Sequence, residues 1–295
     1  MGGFYGDLAA LSEGLEKARI ASEKARIASE WLIDPQTRDM APSVVFYILK
    51  DGAPVGCGFF VTQTLAFTVS HNIHNNGLQP GFSGRTLGGS DFRFEIVEDL
   101  AGDDFMILCA PARTCADHFR VTAGSSCAAL LGSKAVALLG CGIAMSEETR
   151  RIEGGSTLGV SLTITSTNVS HVGSSNKHFG YTASTYDGDS GACLFFTPDN
   201  CVVGIHQEGV NRAKELMEQE ESLGDAAGGG GGPSGSRKRT WGGLERLSEV
   251  ADSVKSIIQH MSTGGIGLFL GSAGVQVAFQ SAKAREEAGE LAPPT

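Results

Sequence analysis

Hydrophobic positions along this chain follow a short-strand pattern over most of its length. From Ser43 onward, short apolar runs rich in β-branched and aromatic residues alternate with Gly, Asn and Asp. These runs are S-V-V-F-Y-I-L, G-C-G-F-F-V-T, L-A-F-T-V, F-R-F-E-I-V, D-F-M-I-L, K-A-V-A-L-L-G, L-G-V-S-L-T-I-T-S-T, G-A-C-L-F-F and C-V-V-G-I-H. Because no helical pattern separates them, the spacing predicts an all-β fold, an antiparallel barrel or sandwich.

A different periodicity precedes these strands. The heptapeptide E-K-A-R-I-A-S occurs twice between Glu16 and Ser29, and its seven-residue repeat places Ile20 and Ile27 on one helical face. We therefore predict an N-terminal helical segment over residues 1–38, with the helix ending at Asp34-Pro35. Two roles stay open for this helix, docking on the main domain and self-association.

A second amphipathic helix is predicted near the C-terminus. Residues 244–261 carry an apolar stripe at helical spacing, which suits packing against a barrel. Residues 211–240 combine a charged stretch with A-A-G-G-G-G-G-P-S-G-S, a composition typical of a flexible insertion. The predicted organisation is a helical segment, a main domain over residues 40–262, and a tail over residues 263–295 without an assigned role.

Charge and cysteine content narrow the class of protein. The net charge of −10 and a longest basic cluster of three residues, Arg237 to Arg239, argue against a nucleic-acid partner. No apolar stretch has the length of a membrane span, and the start lacks the pattern of a secretory signal. The seven cysteines form no C-x-x-C pair, so we expect reduced thiols, a cytoplasmic location, and neither a metal nor a cofactor.

Three motifs carry residues suited to acyl transfer by serine. That chemistry needs a nucleophile, a base, a carboxylate that orients the base, and two backbone donors for the oxyanion. T-V-S-H places His71 after a strand, D-F-M-I-L begins a buried strand at Asp104, and G-D-S-G surrounds Ser190 with small residues. The N–H groups of Gly188 and Ser190 are the expected oxyanion donors. Asp103 competes with Asp104 for the carboxylate role.

The order of these motifs resembles the chymotrypsin-like (trypsin-fold) serine proteases. The resemblance rests on G-C-G-F-F-V before T-V-S-H-N, then D-F-M-I-L, then D-G-D-S-G-A, and covers residues 41–209 with the helix at 244–261. It implies two six-stranded β-barrels with a cleft between them, His71 as general base, Asp104 as its orienting carboxylate and Ser190 as nucleophile. Extracellular members pair a cysteine beside the histidine with one on the preceding strand. Here Asn72 follows His71, so Cys57 lacks that partner.

The residues around the serine suggest a preference for the bond that is cut. Trypsin-type enzymes carry an aspartate six positions before the serine, where this chain has Ser184, so a basic preference is not expected. Thr185 and His206 resemble the pocket of the glutamyl endopeptidases and of the chymotrypsin-like proteases of small RNA viruses. That resemblance implies cleavage after Glu or Gln, because threonine and histidine both donate hydrogen bonds to a side-chain oxygen. A buried structural role for His206 is the alternative.

The strand that carries His206 continues into the predicted substrate-binding edge. The backbone of Gln207 and Gly209 is expected to pair with an extended peptide substrate, and Glu208 between them is expected to disfavour acidic residues upstream of the cleaved bond.

Two functions from different classes follow from the sequence. The first is an endopeptidase acting on other proteins or on its own chain, since Glu218, Glu220 and Glu221 lie just before the Gly-rich insertion. The second is a catalytically silent scaffold that uses a protease fold and its helices to bind partners. The complete His–Asp–Ser set favours the first.

Overall fold

The computed structural model describes residues 33–124, 126–132, 136–141, 160, 162–185, 188–215, 217 and 248–291. These residues form two β-sheets and a few helices. The first six strands are β1 (Val45–Lys50), β2 (Ala53–Phe60), β3 (Leu65–Thr68), β4 (Phe82–Thr86), β5 (Asp91–Leu100) and β6 (Phe105–Cys109). They close into an antiparallel barrel in the order β1-β2-β3-β6-β5-β4.

The second sheet contains the remaining strands. They are β7 (Val136–Gly140), β8 (Thr163–Thr167), β9 (Val169–Val172), β10 (His178–Tyr181), β11 (Cys193–Phe196), β12 (Cys201–Gly209) and β13 (Gly265–Phe269). Among the described residues they form a seven-stranded sheet in the order β8-β7-β11-β12-β13-β10-β9. The predicted all-β class is therefore confirmed. Of the two six-stranded barrels that the resemblance implies, the first is present as a closed barrel, and the second is a half-barrel formed by this seven-stranded sheet.

The second sheet curls back on itself without closing through a strand ladder. Its two edge strands, β8 and β9, are consecutive in the chain and are separated by Asn168 alone. The backbone N–H of Thr182 donates to the Asn168 carbonyl at 3.1 Å, and the N–H of Ala183 donates to Thr167 Oγ1 at 2.8 Å. These bonds tie the residues that follow β10 to the junction of β8 and β9, in the sheet for which the sequence predicts a six-stranded barrel.

Aromatic side chains fill the interior of the closed barrel. Phe46 stacks on Phe94 with ring centroids 4.6 Å apart, and Phe60 lies 5.2 Å from Phe46. All three side chains are fully buried. Aromatic rings bury more area than aliphatic side chains, so a few of them suffice for a barrel built from strands of four to ten residues.

A helix begins where the sequence predicts that one ends. Asp34 caps helix α1 (Pro35–Val44), its carboxylate accepting the N–H of Gln36 at 3.3 Å. Proline is favoured at the first helical position, because its missing N–H would have no helical partner there. Asp34-Pro35 is thus a start signal for α1. The predicted helix before it lies outside the described residues.

Helix α2 (Ser70–His74) follows β3 directly, and helix α3 (Ser248–His260) matches the predicted C-terminal amphipathic helix. In α3, Val254 and Ile257 are buried against β9 and β10. Gly180 of β10 permits this approach, because a Cβ at that position would lie 2.7 Å from Ile257 Cγ2. The predicted insertion falls almost entirely outside the described residues.

The segment after residue 262, which has no predicted role, joins both sheets. Strand β13 pairs with β10 and β12 in the second sheet. Helix α4 (Ala273–Glu287) then crosses to the barrel, where Phe279 meets Phe67 edge to face at 5.1 Å. At its end, Glu286 Oε1 accepts hydrogen bonds from the hydroxyls of Thr62 and Thr64. In the described part of the chain, no helix is long and apolar enough to cross a bilayer.

Candidate active site

The structure brings His71 and Asp104 into direct contact. Asp104 Oδ2 lies 2.7 Å from His71 Nδ1, and Asp104 Oδ1 accepts the backbone N–H of His71 at 2.9 Å. Helix α2 positions the histidine immediately after β3, and the carboxylate stands immediately before β6, the neighbour of β3 in the barrel. With Nδ1 occupied by the carboxylate, Nε2 is the ring nitrogen left for proton transfer.

The two competing aspartates have different partners. Asp103 pairs with Lys177 at 3.3 Å, whereas Asp104 is buried and faces the imidazole. Asp104 adopts a left-handed backbone conformation, with φ +49°. This conformation is uncommon outside glycine, although aspartate tolerates it better than most residues. It follows a short 3-10 turn, Ala101–Asp103, which directs the two consecutive carboxylates to different partners.

The loop that carries Ser190 is held against the barrel by polar contacts. The Ser190 carbonyl accepts the backbone N–H of Cys57 at 2.9 Å and the side-chain amide of Asn72 at 2.8 Å. The Asn72 Nδ2 atom also lies 3.2 Å from Thr68 Oγ1, and its side chain is buried. Because Asn72 is the neighbour of His71, these contacts bring His71 and Ser190, the candidate base and nucleophile, to the same junction although they are distant in sequence.

Glycine is required where this loop touches the barrel. A Cβ on Gly191 would lie 1.8 Å from the Cys57 carbonyl oxygen, and the backbone there has φ +94°. Gly188 also has a positive φ, +99°. Among the described residues, the N–H groups of Gly188 and Ser190 have no hydrogen-bond acceptor, the condition expected of oxyanion donors.

The Ser190 hydroxyl has a partner on β12. Its Oγ donates to the Gln207 carbonyl at 3.3 Å. The Gln207 side chain points inward, is fully buried, and donates from Nε2 to the carbonyls of Asp103 at 2.6 Å and Asp104 at 3.3 Å. Gln207 thus contacts Ser190 through its backbone carbonyl and the loop of Asp103 and Asp104 through its side chain.

His206 is buried next to a tyrosine. Its Nδ1 lies 2.7 Å from the Tyr181 hydroxyl and 3.3 Å from the Ile266 carbonyl. Burial lowers the pKa of His206 to about 3, and the backbone acceptor only partly offsets that effect. The imidazole is therefore neutral near pH 7.

Thr185 and Gly209 lie side by side. Thr185 is half-buried, and a Cβ added to Gly209 would be 3.2 Å from Thr185 Oγ1. The Gly209 N–H donates to the carboxylate of its neighbour Glu208 at 3.1 Å. The edge expected to pair with a peptide is therefore occupied by groups of the protein itself.

The sequence predicts no role for Asn72 beyond the absence of a cysteine, although a polar side chain beside a candidate base is a recognisable signal. It predicts a role for the Gln207 backbone but none for its side chain. The inward turn of the Gln207 side chain has no sequence signal, because it depends on the loop of Asp103 and Asp104 lying against it.

All seven cysteines are free thiols. Cys57 Sγ lies 3.4 Å from the Ser190 carbonyl, the oxygen that also accepts the Asn72 side-chain amide.

Comparisons with known proteins find similarity only in three dimensions. No family model matches the chain, and no curated protein matches its sequence. The MamO protease domain from Magnetospirillum magneticum is 18% identical and has a TM-score of 0.42, covering 57% of this chain and 85% of that one. The Rv3671c protease of M. tuberculosis, in an inactive form, is 17% identical with a TM-score of 0.42. The match covers 59% of this chain and 81% of that one. A serine endoprotease from Yersinia pestis is 19% identical with a TM-score of 0.43, and the match covers 64% of this chain and 66% of that one.

Proposed function

We propose that this protein is a serine endopeptidase in which Ser190 is the nucleophile, His71 the general base and Asp104 the carboxylate that orients it. The observation that supports this most strongly is the two-point contact of Asp104 with His71, through the ring Nδ1 and the backbone N–H. A carboxylate that merely neutralised a histidine would not need to fix its backbone as well. This arrangement defines both the tautomer and the direction of the ring.

Substrate binding would prepare the nucleophile. An extended peptide pairing with β12 offers its own N–H to the Gln207 carbonyl, the acceptor now used by the Ser190 hydroxyl. Displaced from that carbonyl, the hydroxyl turns to His71 Nε2, which takes its proton as Oγ attacks the scissile carbonyl carbon. The N–H groups of Gly188 and Ser190 then stabilise the oxyanion.

The remaining steps follow from the same residues. Protonated His71 gives its proton to the leaving amine, and the C–N bond breaks to leave an ester on Ser190. Water, deprotonated by His71, attacks that ester. The bond from the acyl carbon to Ser190 Oγ then breaks, His71 returns the proton to Oγ, and the new carboxyl end of the substrate is released. Asp104 stays ionised throughout and stabilises the imidazolium.

The proposed bond preference is Gln or Glu before the cleaved bond, with Gln favoured. The Tyr181 hydroxyl, the shorter of the two contacts to His206 Nδ1, is assigned as the donor to that nitrogen. Nε2 then carries a hydrogen and donates to a side-chain oxygen. Because burial keeps His206 neutral, a glutamine amide suits this donor better than a carboxylate, which would lose solvation without gaining a cation.

A fluorophosphonate probe tests the enzyme assignment. Wild-type protein is expected to be labelled and Ser190→Ala unlabelled, whereas Ser90→Ala, at an exposed position on a turn, is expected to behave as wild type. Loss of the nucleophile is expected to lower any peptidase rate on the order of 10⁴- to 10⁶-fold. Absence of labelling in well-folded wild-type protein would contradict the proposal and favour a binding scaffold.

Matched peptides test the pocket. Peptides that differ only in Gln, Glu, Arg or Phe before the cleaved bond are expected to be cleaved in the order Gln, Glu, then the others. Thr185→Val, which removes one hydroxyl at nearly constant volume, is expected to lower kcat/KM for the Gln peptide about tenfold. Preferential cleavage after Arg or Phe would show that His206 is only a buried structural histidine.

A further inference from the structure

The Glu208 side chain is half-buried, and its carboxylate is influenced by His71 and Arg212 without being paired to either. Within the described part of the chain, Glu208 forms no ion pair. The nearest basic residue along the chain, Arg212, is paired with Glu215 at 2.7 Å. The only hydrogen bond of the Glu208 carboxylate among these residues is the one it accepts from the Gly209 N–H at 3.1 Å. An unbalanced carboxylate removed from water is costly unless a ligand supplies the countercharge.

Hydrogen bonds along β12 show which groups face the cleft. The Gln207 carbonyl faces it, because the Ser190 hydroxyl donates to that oxygen. The N–H of Val210 donates to the Gly264 carbonyl, on the side of β13. Because the backbone groups of successive strand residues point in opposite directions, the N–H and carbonyl of Gly209 point away from β13, as the Gln207 carbonyl does. The backbone of Glu208 lies opposite Ile266 of β13. Gln207 and Gly209 are therefore the backbone groups available to an added strand.

This register places one substrate side chain beside Glu208. In an antiparallel pair, residues directly opposite each other point to the same face of the sheet. A peptide whose residue before the cleaved bond lies opposite Gln207 therefore places its preceding residue opposite Glu208. The third residue upstream then lies opposite Gly209.

We propose that Glu208 selects a lysine or arginine at the second residue upstream of the cleaved bond, so that the recognised dipeptide is a basic residue followed by Gln or Glu. This inference rests on the proposed function, since it uses the proposed substrate strand. It makes Glu208 a specificity-determining residue and extends the expectation that this position disfavours acidic side chains.

The resting contact of Glu208 agrees with this role. When the substrate strand binds, its carbonyl takes the Gly209 N–H, and the carboxylate is released to pair with the incoming cation. The hydrogen bond of Gly209 is thus replaced and the carboxylate gains a counterion. Burial raises the pKa of the Glu208 carboxyl, and nearby His71, the Gly209 N–H and Arg212 only partly oppose that effect, so an additional cation would stabilise the charged form.

Paired peptides provide the test. Two quenched fluorescent peptides differ only in Lys or norleucine before the Gln, which keeps the length of the side chain and removes its charge. Wild-type kcat/KM is expected to be about tenfold higher for the Lys peptide, and this ratio is expected to shrink at high salt. In Glu208→Gln the ratio is expected to approach one, and in Glu208→Lys a Glu peptide is expected to be preferred over Lys.

A change at Glu208 also alters the electrostatic environment of His71, but this effect changes kcat/KM for the Lys and norleucine peptides by the same factor. It therefore cancels in the ratio measured within one variant. Glu98→Gln, which removes a carboxylate next to Arg285 on the barrel, is the matched control and is expected to keep the wild-type ratio. The salt series on wild-type protein needs no variant, so a folding defect in a variant cannot decide the result. Equal rates for both peptides in wild type would overturn the inference while leaving the endopeptidase in place.

Binding separates the two proposals. Fluorescently labelled Lys and norleucine peptides are titrated onto Ser190→Ala and onto Ser190→Ala combined with Glu208→Gln, with polarisation as readout. Tighter binding of the Lys peptide that is lost in the double variant supports the subsite, even if wild type hydrolyses nothing and the peptidase proposal fails. Equal binding of both peptides overturns the subsite.

Discussion

Replacing Asn72 tests whether the base and the nucleophile are held together by a polar tether. Its Nδ2 lies 2.8 Å from the Ser190 carbonyl, 3.2 Å from Thr68 Oγ1 and 3.4 Å from the Cys57 carbonyl. In Asn72→Ala no acceptor is left without a partner: the Ser190 carbonyl keeps the Cys57 N–H, and the Cys57 carbonyl keeps the Thr68 hydroxyl at 2.8 Å. The cost is then the lost bonds and a small cavity, about 2 kcal/mol of unfolding free energy.

Asn72→Asp is expected to cost more, although aspartate has nearly the same shape. A carboxylate cannot donate, and it would direct negative charge at two carbonyl oxygens in a buried site, for a loss of about 3–5 kcal/mol. Urea unfolding followed by circular dichroism measures both losses. Labelling by a fluorophosphonate is expected to slow about ten- to a hundredfold in Asn72→Ala, because the serine loop loses its alignment with the base.

The matched control for this experiment is Asn76→Ala. Asn76 donates one hydrogen bond to the backbone carbonyl of Asn72, at 2.9 Å, and none to the serine loop within the part of the chain that the structure describes. We expect a loss below about 1 kcal/mol and an unchanged rate of labelling. If Asn72→Ala retained both the stability and the labelling rate of the control, the Asn72 side chain would not position Ser190.

Three further predictions address the site and the stability of the protein. Asp104→Asn is expected to slow fluorophosphonate labelling on the order of 10³- to 10⁴-fold near pH 7, since an amide in that place favours the wrong tautomer of His71; an unchanged labelling rate would exclude the orienting role. Gly191→Ala is expected to cost more than about 3 kcal/mol of unfolding free energy. Gly89 has a similar φ of +91° but open space around it, so Gly89→Ala is expected to cost only about 1–2 kcal/mol. Equal losses in the two variants would refute the predicted clash at Gly191. Burial lowers the pKa of His178 from its ordinary 6.5 to about 4, so the stability due to its neutral form is complete above pH 6.5 and is lost as the pH falls towards 4, by about 3 kcal/mol. In His178→Leu, the unfolding free energy is expected to lose this part of its decrease between pH 6.5 and pH 4. Urea unfolding measured across this pH range would contradict the prediction if the variant showed the same pH dependence as wild type.

Local patterns along the chain predict much of this fold. Strands β1, β2, β3, β5 and β6 fall on predicted short apolar runs, because a strand needs only a suitable run and a turn at each end. Strand β4, with the sequence F-S-G-R-T, has no such run and was not predicted. Helix α3 is predicted by its apolar stripe for the same reason. Helix α4 is harder to predict, since only Val275, Phe279 and Ala282 are buried and the ring that Phe279 meets lies in the first barrel.

The candidate site divides in the same way. His71, Asp104 and Ser190 lie in short motifs whose residue types state the chemistry, so sequence alone singled them out. The motif D-F-M-I-L also places the Asp104 carboxylate at the start of a buried strand. That Asp103 faces Lys177 and Asp104 faces the imidazole depends on the turn of the backbone at φ +49°, which no local pattern encodes.

Tertiary structure alone decided the contacts that join the two sheets. Asn72 meets the Ser190 carbonyl across 118 positions of sequence, and Gln207 meets the Asp103 carbonyl across 104. Whether such groups pair depends on sheet register and on how the serine loop seats on the barrel, which are properties of the packed molecule. Sequence composition determines which chemistry is available to this chain, and the packing of one sheet against the other determines which groups meet.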